Sequence, residues 1–446
     1  VMLAARRWSM LGASDERVGK GVWLMRNLAL AFGLAAAVCA PAWAAEPAFT
    51  NPTRVNNPFY PVALSRQALA LGHAGDAALR TEATLLPGTM AIDWSGGRTD
   101  CIVNLFVAYL DGELAEVAYD YFAQGDDGTV YYFGEDVFNY ENGVVANTEG
   151  TWRAGRDGAP PGVIMTPRPM VGQVFRPENF PPVVLEIDRV LSVTERLSTP
   201  RGPIADGVRV REQLMDGSVE FKMYARGFGE VSASTEDELT NLVVLTRTDA
   251  PRGRVPVGVE EVESRAEDVL KSLGRWPSVR SHAAAIDRAW KAERAGVVAA
   301  GAPAMLIAQV DGLIPRLVAA AAGQKTNPTR RLAGELRTAS LDLSSFWNPR
   351  VTVDVQRLEA AVREVLISVK AGEWRSARVK HAAARDALWA RLRPYATARR
   401  GARAPAGRLD AALADLDRAI EARSAGAGIR ASRSAMEAID AVEEAY

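Results

Sequence analysis

Hydrophobic and polar residues alternate in short runs through the first half of the chain, from Asn51 to about Thr248. The runs "VNLFVAYL", "LAEVAYDYFA" and "VEFKMYA" are rich in the β-branched and aromatic residues that strands favour. Asp-Gly and Asn-Gly pairs between such runs are typical of hairpin turns. The pairs are Asp111-Gly112, Asp127-Gly128, Asn142-Gly143 and Asp216-Gly217. The pattern predicts an antiparallel β domain over residues 45–250, as a curved sheet, a sandwich or a half-barrel, with a long loop at Gly155–Pro182.

The spacing of hydrophobic positions changes after residues 251–259, which are rich in Pro and Gly and which we interpret as a linker. From there apolar residues recur every three to four positions, as on one face of an α-helix. Gly residues and Asn-Pro pairs separate about eight predicted helices. These lie near residues 260–273, 278–299, 303–322, 328–346, 352–371, 375–397, 405–424 and 427–445. The expected fold class is α+β with two domains, of which the second is all-helical.

The helical region contains an internal match at an offset of 99 residues. The segment "HAAAIDRAW" at His282–Trp290 aligns with "HAAARDALW" at His381–Trp389, and the same offset pairs Asp311 with Asp410. A fixed offset across several helices indicates a duplicated unit. The two predicted four-helix units are residues 260–347 and 348–446.

The N-terminal segment has the features of a signal peptide. Arg26 precedes the apolar run "LALAFGLAAAVCAPAWA", which ends in the small-x-small sequence Ala42–Ala44. We predict that residues 1–44 are a cleaved signal with an over-extended start, with Met25 as the initiator. The mature protein is then periplasmic or extracellular, has no transmembrane helix, and keeps Cys101 as its single cysteine. Its stability must come from a packed core, because no intrachain disulfide can form.

Charge is distributed unevenly between the two halves. Residues 45–250 carry 16 Lys and Arg against 29 Asp and Glu, a net charge of −13. Residues 251–446 carry 32 against 23, a net charge of +9. Opposite charges favour docking of the acidic β domain on the basic helical domain. Nucleic acid is not an expected partner, because the protein is predicted to be exported.

Four segments of the β half occur in the same order in a group of bacterial proteins: "TRVNNPFYPV", "YLDGELAEVAYDYFAQGDDGTVYYFGEDVFNYENG", "TEGTWRAGRDGAPPGVIM" and "KMYARGFGEV". Over residues 51–247 the chain resembles an uncharacterised family of secreted bacterial proteins and lipoproteins. The match is loose at residues 61–99 and does not include the helical half. The resemblance implies export and a β domain. It brings no catalytic or binding residue, because the family has no assigned activity.

Aromatic residues crowd the predicted hairpin "YDYFAQGDDGTVYYF". If Tyr121 faces Tyr132 across this ribbon, both faces carry rings, and we expect both to be covered because exposed apolar surface is costly. The rings then form ordinary core, with the helical half over one face. Alternatively, a curved sheet encloses a pocket for a small apolar or sugar-like ligand. The candidate ligand-binding residues are Tyr121, Tyr132 and Trp152, with Asp120 or Glu135 at the mouth.

Two of the three histidines, His282 and His381, occupy equivalent positions in the repeat. If the units pack about a pseudo-twofold axis, the two imidazoles can share a metal ion or a haem. Common ancestry with a helix-packing His is the simpler explanation. Neither a haem-attachment motif nor a Glu-x-x-His motif accompanies them.

No catalytic motif occurs in the chain, since it lacks a G-x-S-x-G elbow and a metalloprotease helix. We expect an exported, non-enzymatic envelope protein that binds a small apolar or sugar-like ligand, or another envelope protein, without a cofactor. One alternative is a metal- or haem-binding helical module that uses His282 and His381. Another is a hydrolase that uses carboxylates of the β domain.

Overall fold

The computed structural model describes residues 47–349 and 351–446, and the predicted signal peptide at residues 1–44 lies outside them. These residues form an antiparallel β part followed by a helical part. The predicted α+β class is therefore confirmed, with the change from strand to helix close to the predicted linker.

The β part is one continuous antiparallel sheet rather than a sandwich. Its strands follow the order β10-β11-β12-β13-β14-β15-β1-β2-β3-β4-β5-β6, so the first and last long strands pair at its centre. The strands are β1 (Ser65–Ala74), β2 (Ala77–Trp94), β3 (Gly97–Leu110), β4 (Glu113–Gln124), β5 (Val130–Glu141), β6 (Val144–Asn147), β7 (Trp152–Arg153), β8 (Gly162–Met165), β9 (Val174–Phe175), β10 (Asn179–Phe180), β11 (Val184–Thr199), β12 (Gly202–Leu214), β13 (Val219–Ala225), β14 (Gly229–Ser234) and β15 (Glu238–Arg247).

Short strands in the predicted loop at Gly155–Pro182 bring the two ends of the sheet together. Strand β8 pairs with β5, and β9 pairs with β11. The amide of Val163 in β8 donates to the carbonyl oxygen of Arg176 beside β9 at 2.8 Å. The sheet therefore curls round an inner face, which side chains fill, and it presents an outer face to the rest of the chain.

The four predicted turns all lie between paired consecutive strands. In two of them both central residues have positive φ, with values of 48° and 81° at Asp111-Gly112 and 54° and 75° at Asn142-Gly143. This is the type I′ geometry, whose twist matches that of the flanking strands. The hairpin predictions are confirmed at these positions.

The helical part begins at Val257, three residues before the predicted boundary, directly after Pro256. Its helices are α1 (Val257–Lys271), α2 (Trp276–Ala299), α3 (Ala304–Ala322), α4 (Thr326–Ser345), α5 (Val353–Ala371), α6 (Trp374–Ala382), α7 (Ala390–Ala398), α8 (Arg403–Glu421) and α9 (Ala425–Glu443). A π-helical segment, Ala383–Trp389, joins α6 to α7 without a break. The described chain thus contains eight helical rods, in two sets of four.

The two sets share a side-chain network at the offset of the sequence match. In the first set the indole nitrogen of Trp290 donates to Asp311 at 2.7 Å, and Arg294 pairs with the same carboxylate at 2.8 Å. In the second set Trp389 donates to Asp410 at 2.7 Å, and Arg393 pairs with it at 2.8 Å. Residues 99 positions apart therefore make the same contacts.

Helix α3 is long and apolar enough to cross a membrane by length and composition. Its side chains Leu306, Val310, Ile314 and Leu317 are buried, however, and belong to the core of the first helical set. This packing accounts for the large apolar residues on one face of the helix.

Candidate functional site

Three of the predicted ligand-binding residues meet on the inner face of the sheet. The ring of Tyr132 stacks on Phe122, with centroids 4.9 Å apart, and it meets Trp152 edge-on at 5.6 Å. The Tyr132 hydroxyl donates to Asp120 at 2.9 Å, and burial raises the pKa of Asp120. Glu135 is also completely buried on β5 and is paired with Trp152 in register. These residues are packed core, and none lines the cavities described below.

Tyr121 lies on the opposite face, so the expectation that it faces Tyr132 is wrong. The register pairs Phe122 with Tyr132, one residue away from the expected pairing, and such a slip exchanges the two faces of a strand. The Tyr121 hydroxyl donates to Asp136 at 2.6 Å on the outer face, and the Arg153 guanidinium lies 5.0 Å above the ring. The five predicted residues therefore do not form one pocket.

Both faces of the aromatic hairpin are covered by protein. The inner face packs against side chains from the other strands of the curled sheet. On the outer face, Tyr119 and Phe138 pack against Ala382 and Ala387 of the α6–α7 rod. The rings of Phe49 and Trp94 pack on Phe133 at the other end of this face. Both faces are therefore covered, but the helical half covers only part of the outer face.

A charged cluster lies within the curled sheet. Lys222 Nζ is 2.5 Å from Glu212 and 3.6 Å from Glu220. Burial raises the pKa of Glu220 to about 8, and burial with the nearby Glu212 raises the pKa of Asp188. The Lys222 and Glu212 side chains are fully buried. These carboxyl groups can share protons with one another, but a substrate cannot reach them in this structure.

The two repeated histidines have different surroundings. His282 Nδ1 lies 3.6 Å from Asp268 on α1, whereas His381 Nε2 lies 3.5 Å from Asp417 on α8. Burial and the nearby Arg385 lower the pKa of His381 to about 4, so its imidazole is neutral at physiological pH. Within residues 47–349 and 351–446, no group of three or more His, Cys, Asp or Glu side chains is placed to hold a metal ion.

Six charged residues, five of them buried and one partly buried, join the β part to the helical part, and we call them the interdomain ion network. Arg80 holds Asp342 with two hydrogen bonds, of 2.6 and 2.8 Å. Arg357 pairs with Asp342 at 2.6 Å and with Asp354 at 3.0 Å. Arg391 pairs with Asp354 at 2.8 Å and also contacts Glu82. The charges of the six residues, Arg80, Glu82, Asp342, Asp354, Arg357 and Arg391, sum to zero.

A cavity of about 830 Å³ opens beside this network, between the sheet and helices α4, α5 and α6. We call it the interdomain groove. Its apolar lining residues come from both parts of the protein and include Tyr109, Leu270, Leu341, Val379 and Leu388. Gly334 of α4 also lines the groove, and a Cβ atom at this position would have no atom within 4 Å. There is therefore space for a ligand directly over this helix.

The cationic groups of the groove are all neutralised. Arg337 pairs with Glu263 at 2.6 Å, and Lys380 pairs with Glu364 at 2.8 Å. The remaining cationic lining residues, Arg80, Arg330, Arg331, Arg357 and Arg363, also form ion pairs. The groove therefore offers apolar surface among paired charges, and it has no surplus positive charge for a strongly anionic ligand.

The sequence analysis did not find the groove, because its walls come from segments far apart in the chain. Tyr109 and Leu341, for example, are separated by most of the β part and half of the helical part. The only signal in the sequence was the opposite charge of the two halves, which favoured docking but gave no information on the shape of the interface.

The described residues define an α+β protein in which a curled antiparallel sheet, filled by its own side chains, docks on eight helical rods and leaves a groove between them. Comparison with known proteins finds no family model that matches the chain and no matching curated protein. The resemblance to secreted bacterial proteins over residues 51–247 therefore stays a prediction.

Proposed function

We propose that this is an exported, non-catalytic binding protein, and that its ligand is a small apolar molecule held in the interdomain groove. The observation that carries the proposal is the groove's volume of about 830 Å³ together with its apolar walls. Ligand sites typically occupy roughly 300–1,000 Å³, are lined mainly by apolar side chains and often lie between domains. The groove has this volume and this position, and most of its exposed lining surface is apolar, although ten of its lining residues are charged.

The polar groups of the groove favour a ligand with few charges. Each cation already has a carboxylate partner, so an anionic ligand would have to displace one. The Tyr109 ring supplies an apolar body with a hydroxyl at its end. A mostly hydrocarbon molecule with one or two hydrogen-bonding groups fits these surroundings best.

Export is supported by the predicted signal peptide at residues 1–44 and by the resemblance of the β half to secreted proteins. The mature chain would then carry Cys101 alone, and this residue is completely buried. A buried single thiol suits an oxidising compartment, because it is shielded from pairing with other thiols.

The test fills the groove with a side chain. Gly334→Trp places an indole in the open space over α4, and a larger residue also favours the helix over Gly. Gly312→Trp is the matched control, since Gly312 lies within α3, is exposed, and likewise would have no atom within 4 Å of an added Cβ atom. We expect the wild type and Gly312→Trp to release a small molecule on denaturing extraction, as detected by mass spectrometry, and Gly334→Trp to release none.

Direct titration with the apolar fluorophore Nile red tests the same site. We expect binding to the emptied wild type and to Gly312→Trp, and at least a tenfold weaker affinity for Gly334→Trp. Equal dye affinity in all three proteins, or a wild type that neither carries a molecule nor binds the dye, would contradict the proposal.

A further inference from the structure

A second cavity is lined by Asp354 and Arg391 of the interdomain ion network and shares no lining residue with the groove. Its volume is about 80 Å³, and we call it the junction cavity. It forms where β1, the linker, the end of α4, the start of α5 and helix α7 meet. Four arginines line it, Arg66, Arg252, Arg391 and Arg399, whereas Asp354 is its single acidic lining residue.

This positive charge is not neutralised by nearby carboxylates. Within the described part of the chain, Arg66, Arg252 and Arg399 form no ion pair, and Asp354 is engaged by Arg357 at 3.0 Å and by Arg391 at 2.8 Å. Burial and the charges of Arg66 and Arg399 lower the pKa of Arg252. The guanidinium groups therefore lie close enough to repel one another.

Two buried donor atoms in the cavity lining have no acceptor among the described residues. They are the Nε atoms of Arg66 and Arg391. The Arg391 side chain is only 1% exposed, so bulk water cannot satisfy it. A buried donor without an acceptor costs about 1–3 kcal/mol, and buried donors in native structures are rarely left without an acceptor. Both atoms lack an oxygen acceptor, and both belong to residues that line the junction cavity.

Neighbouring groups hold these arginines in position. The guanidinium of Arg399 lies 4.2 Å from the centre of the Tyr446 ring, and that of Arg66 lies 5.9 Å from the Tyr395 ring. Arg252 donates to the Asn348 side chain and to the Pro349 carbonyl, each at 2.8 Å. The positive groups are therefore placed before any ligand arrives.

We propose that the junction cavity binds a small oxyanion, such as inorganic phosphate or sulfate. The oxygens of such an ion can accept hydrogen bonds from the cationic lining residues, and its charge offsets the repulsion between the arginines. The volume of about 80 Å³ admits an ion of a few non-hydrogen atoms and is too small for the ligand proposed for the groove. Because residues of both parts line the cavity, the bound ion fastens the β part to the helical part.

The test measures binding of inorganic phosphate by isothermal titration calorimetry and by thermal shift, against sodium chloride of the same ionic strength. We expect phosphate to raise the melting temperature of the wild type by several degrees, and sulfate to do so similarly. Acetate at the same ionic strength shows whether a carboxylate group is sufficient to raise the melting temperature.

The decisive variant is Arg399→Gln, with Arg400→Gln as its matched control. The two residues are neighbours and lose the same charge, but only Arg399 lines the cavity. We expect Arg399→Gln to bind phosphate at least tenfold more weakly, and Arg400→Gln to bind it as the wild type does. In phosphate-free buffer Arg399→Gln should melt no lower than Arg400→Gln, because it also relieves repulsion.

Three results would overturn the proposal. The first is a melting temperature that responds to phosphate no more than to chloride. The second is an equal loss of phosphate affinity in Arg399→Gln and Arg400→Gln. The third is a crystal structure grown with phosphate in which only water molecules occupy the junction cavity.

Discussion

Lys222 lies among more carboxyl groups than one ammonium group can neutralise. Glu212 and Glu220 lie within 3.6 Å of its nitrogen, and Asp188 is a further buried neighbour. In a space of low dielectric constant these acids cannot all be ionised, so protons are retained at neutral pH. The folded state thus binds protons that the unfolded chain releases.

This proton retention predicts a stability that falls as the pH rises. The pKa of Glu220 is raised from 4.5 to about 8 in the folded protein. The stability that its bound proton contributes is therefore lost progressively as the pH rises between those values. His381, whose pKa is lowered to about 4, acts in the opposite direction, but only below the ordinary histidine pKa of about 6.5. We expect the free energy of unfolding to decrease between pH 6.5 and 8.5, as measured by urea titration.

Glu220→Gln should reduce this decrease, by about 1–3 kcal/mol over the range, because Gln cannot ionise. Glu236→Gln is the control, since Glu236 is exposed on the loop before β15. A wild type whose stability is constant from pH 6.5 to 8.5, or an identical pH dependence in both variants, would show that Glu220 is already ionised.

At the residue level, the sequence predicted that the aromatic side chains of the hairpin are buried, but not on which face of the sheet each one lies. The aromatic residues of the hairpin are buried as expected, but Tyr121 and Tyr132 lie on opposite faces. The turn decides this, because residues 125–129 separate the paired residues Gln124 and Val130, and pairing outward from there puts Phe122 opposite Tyr132. The turn is closed by a hydrogen bond from the Gly125 amide to the Thr129 carbonyl oxygen, and the Asp-Gly pair alone does not specify this turn length.

At the level of elements, the turn between β5 and β6 is also a contact with the helical part. Gly143 has a φ of 75°, and a Cβ atom there would lie 2.7 Å from the Val379 Cα in α6. Arg375 of the same helix donates to the Asn142 side chain at 2.9 Å and pairs with Glu113 at 3.2 Å. The hairpin end thus fits against the helix backbone.

Gly143→Ala should therefore destabilise the protein more than Gly112→Ala. Both glycines follow an Asp or Asn in a hairpin turn and have positive φ, but Gly112 has no atom within 4 Å of its Cβ position. The strain of positive φ costs roughly 1 kcal/mol in each variant, and Gly143→Ala adds about 1–3 kcal/mol of overpacking. Urea unfolding measures the loss of stability in each of the two variants. An equal loss of unfolding free energy in the two variants would mean that α6 moves away from the turn without an energetic cost.

The helices were predicted within a few residues, whereas strands β1 and β2 were missed. Helix breaks at residues such as Gly274, Gly301 and Gly372 are local signals, and all three have positive φ in the structure. Residues 61–99 lack the aromatic alternation of the later strands. Strand β1 becomes a strand by pairing with β2 and β15 on either side, which is a long-range effect.

At the level of the whole molecule, the interdomain ion network couples the two parts. Asp342 on α4 accepts hydrogen bonds from Arg80 of the sheet and from Arg357 of α5. Its replacement by Asn leaves two buried guanidinium groups without their shared carboxylate. We expect Asp342→Asn to cost about 3–5 kcal/mol, since breaking a buried pair leaves uncompensated charge.

Hydrogen exchange with mass spectrometry measures both the loss of stability in Asp342→Asn and the coupling between the β part and the helical part. In the wild type, peptides of the sheet and of the helices should lose protection together, and in Asp342→Asn the two sets should separate. The control is Asp415→Asn, which removes an exposed pair with Arg418 and should cost less than about 1 kcal/mol. Separate transitions already present in the wild type would contradict the coupling.

The pairing of β1 with β15 has a consequence for how the chain acquires its structure. Residue pairs such as Ser65 with Arg247 join the two ends of the β part at the centre of the sheet. Contacts of such long sequence separation make folding slow, because the intervening chain must close first. A nascent chain that ends before β15 has no partner for the open edge of β1, and it must be kept from aggregating until that strand arrives.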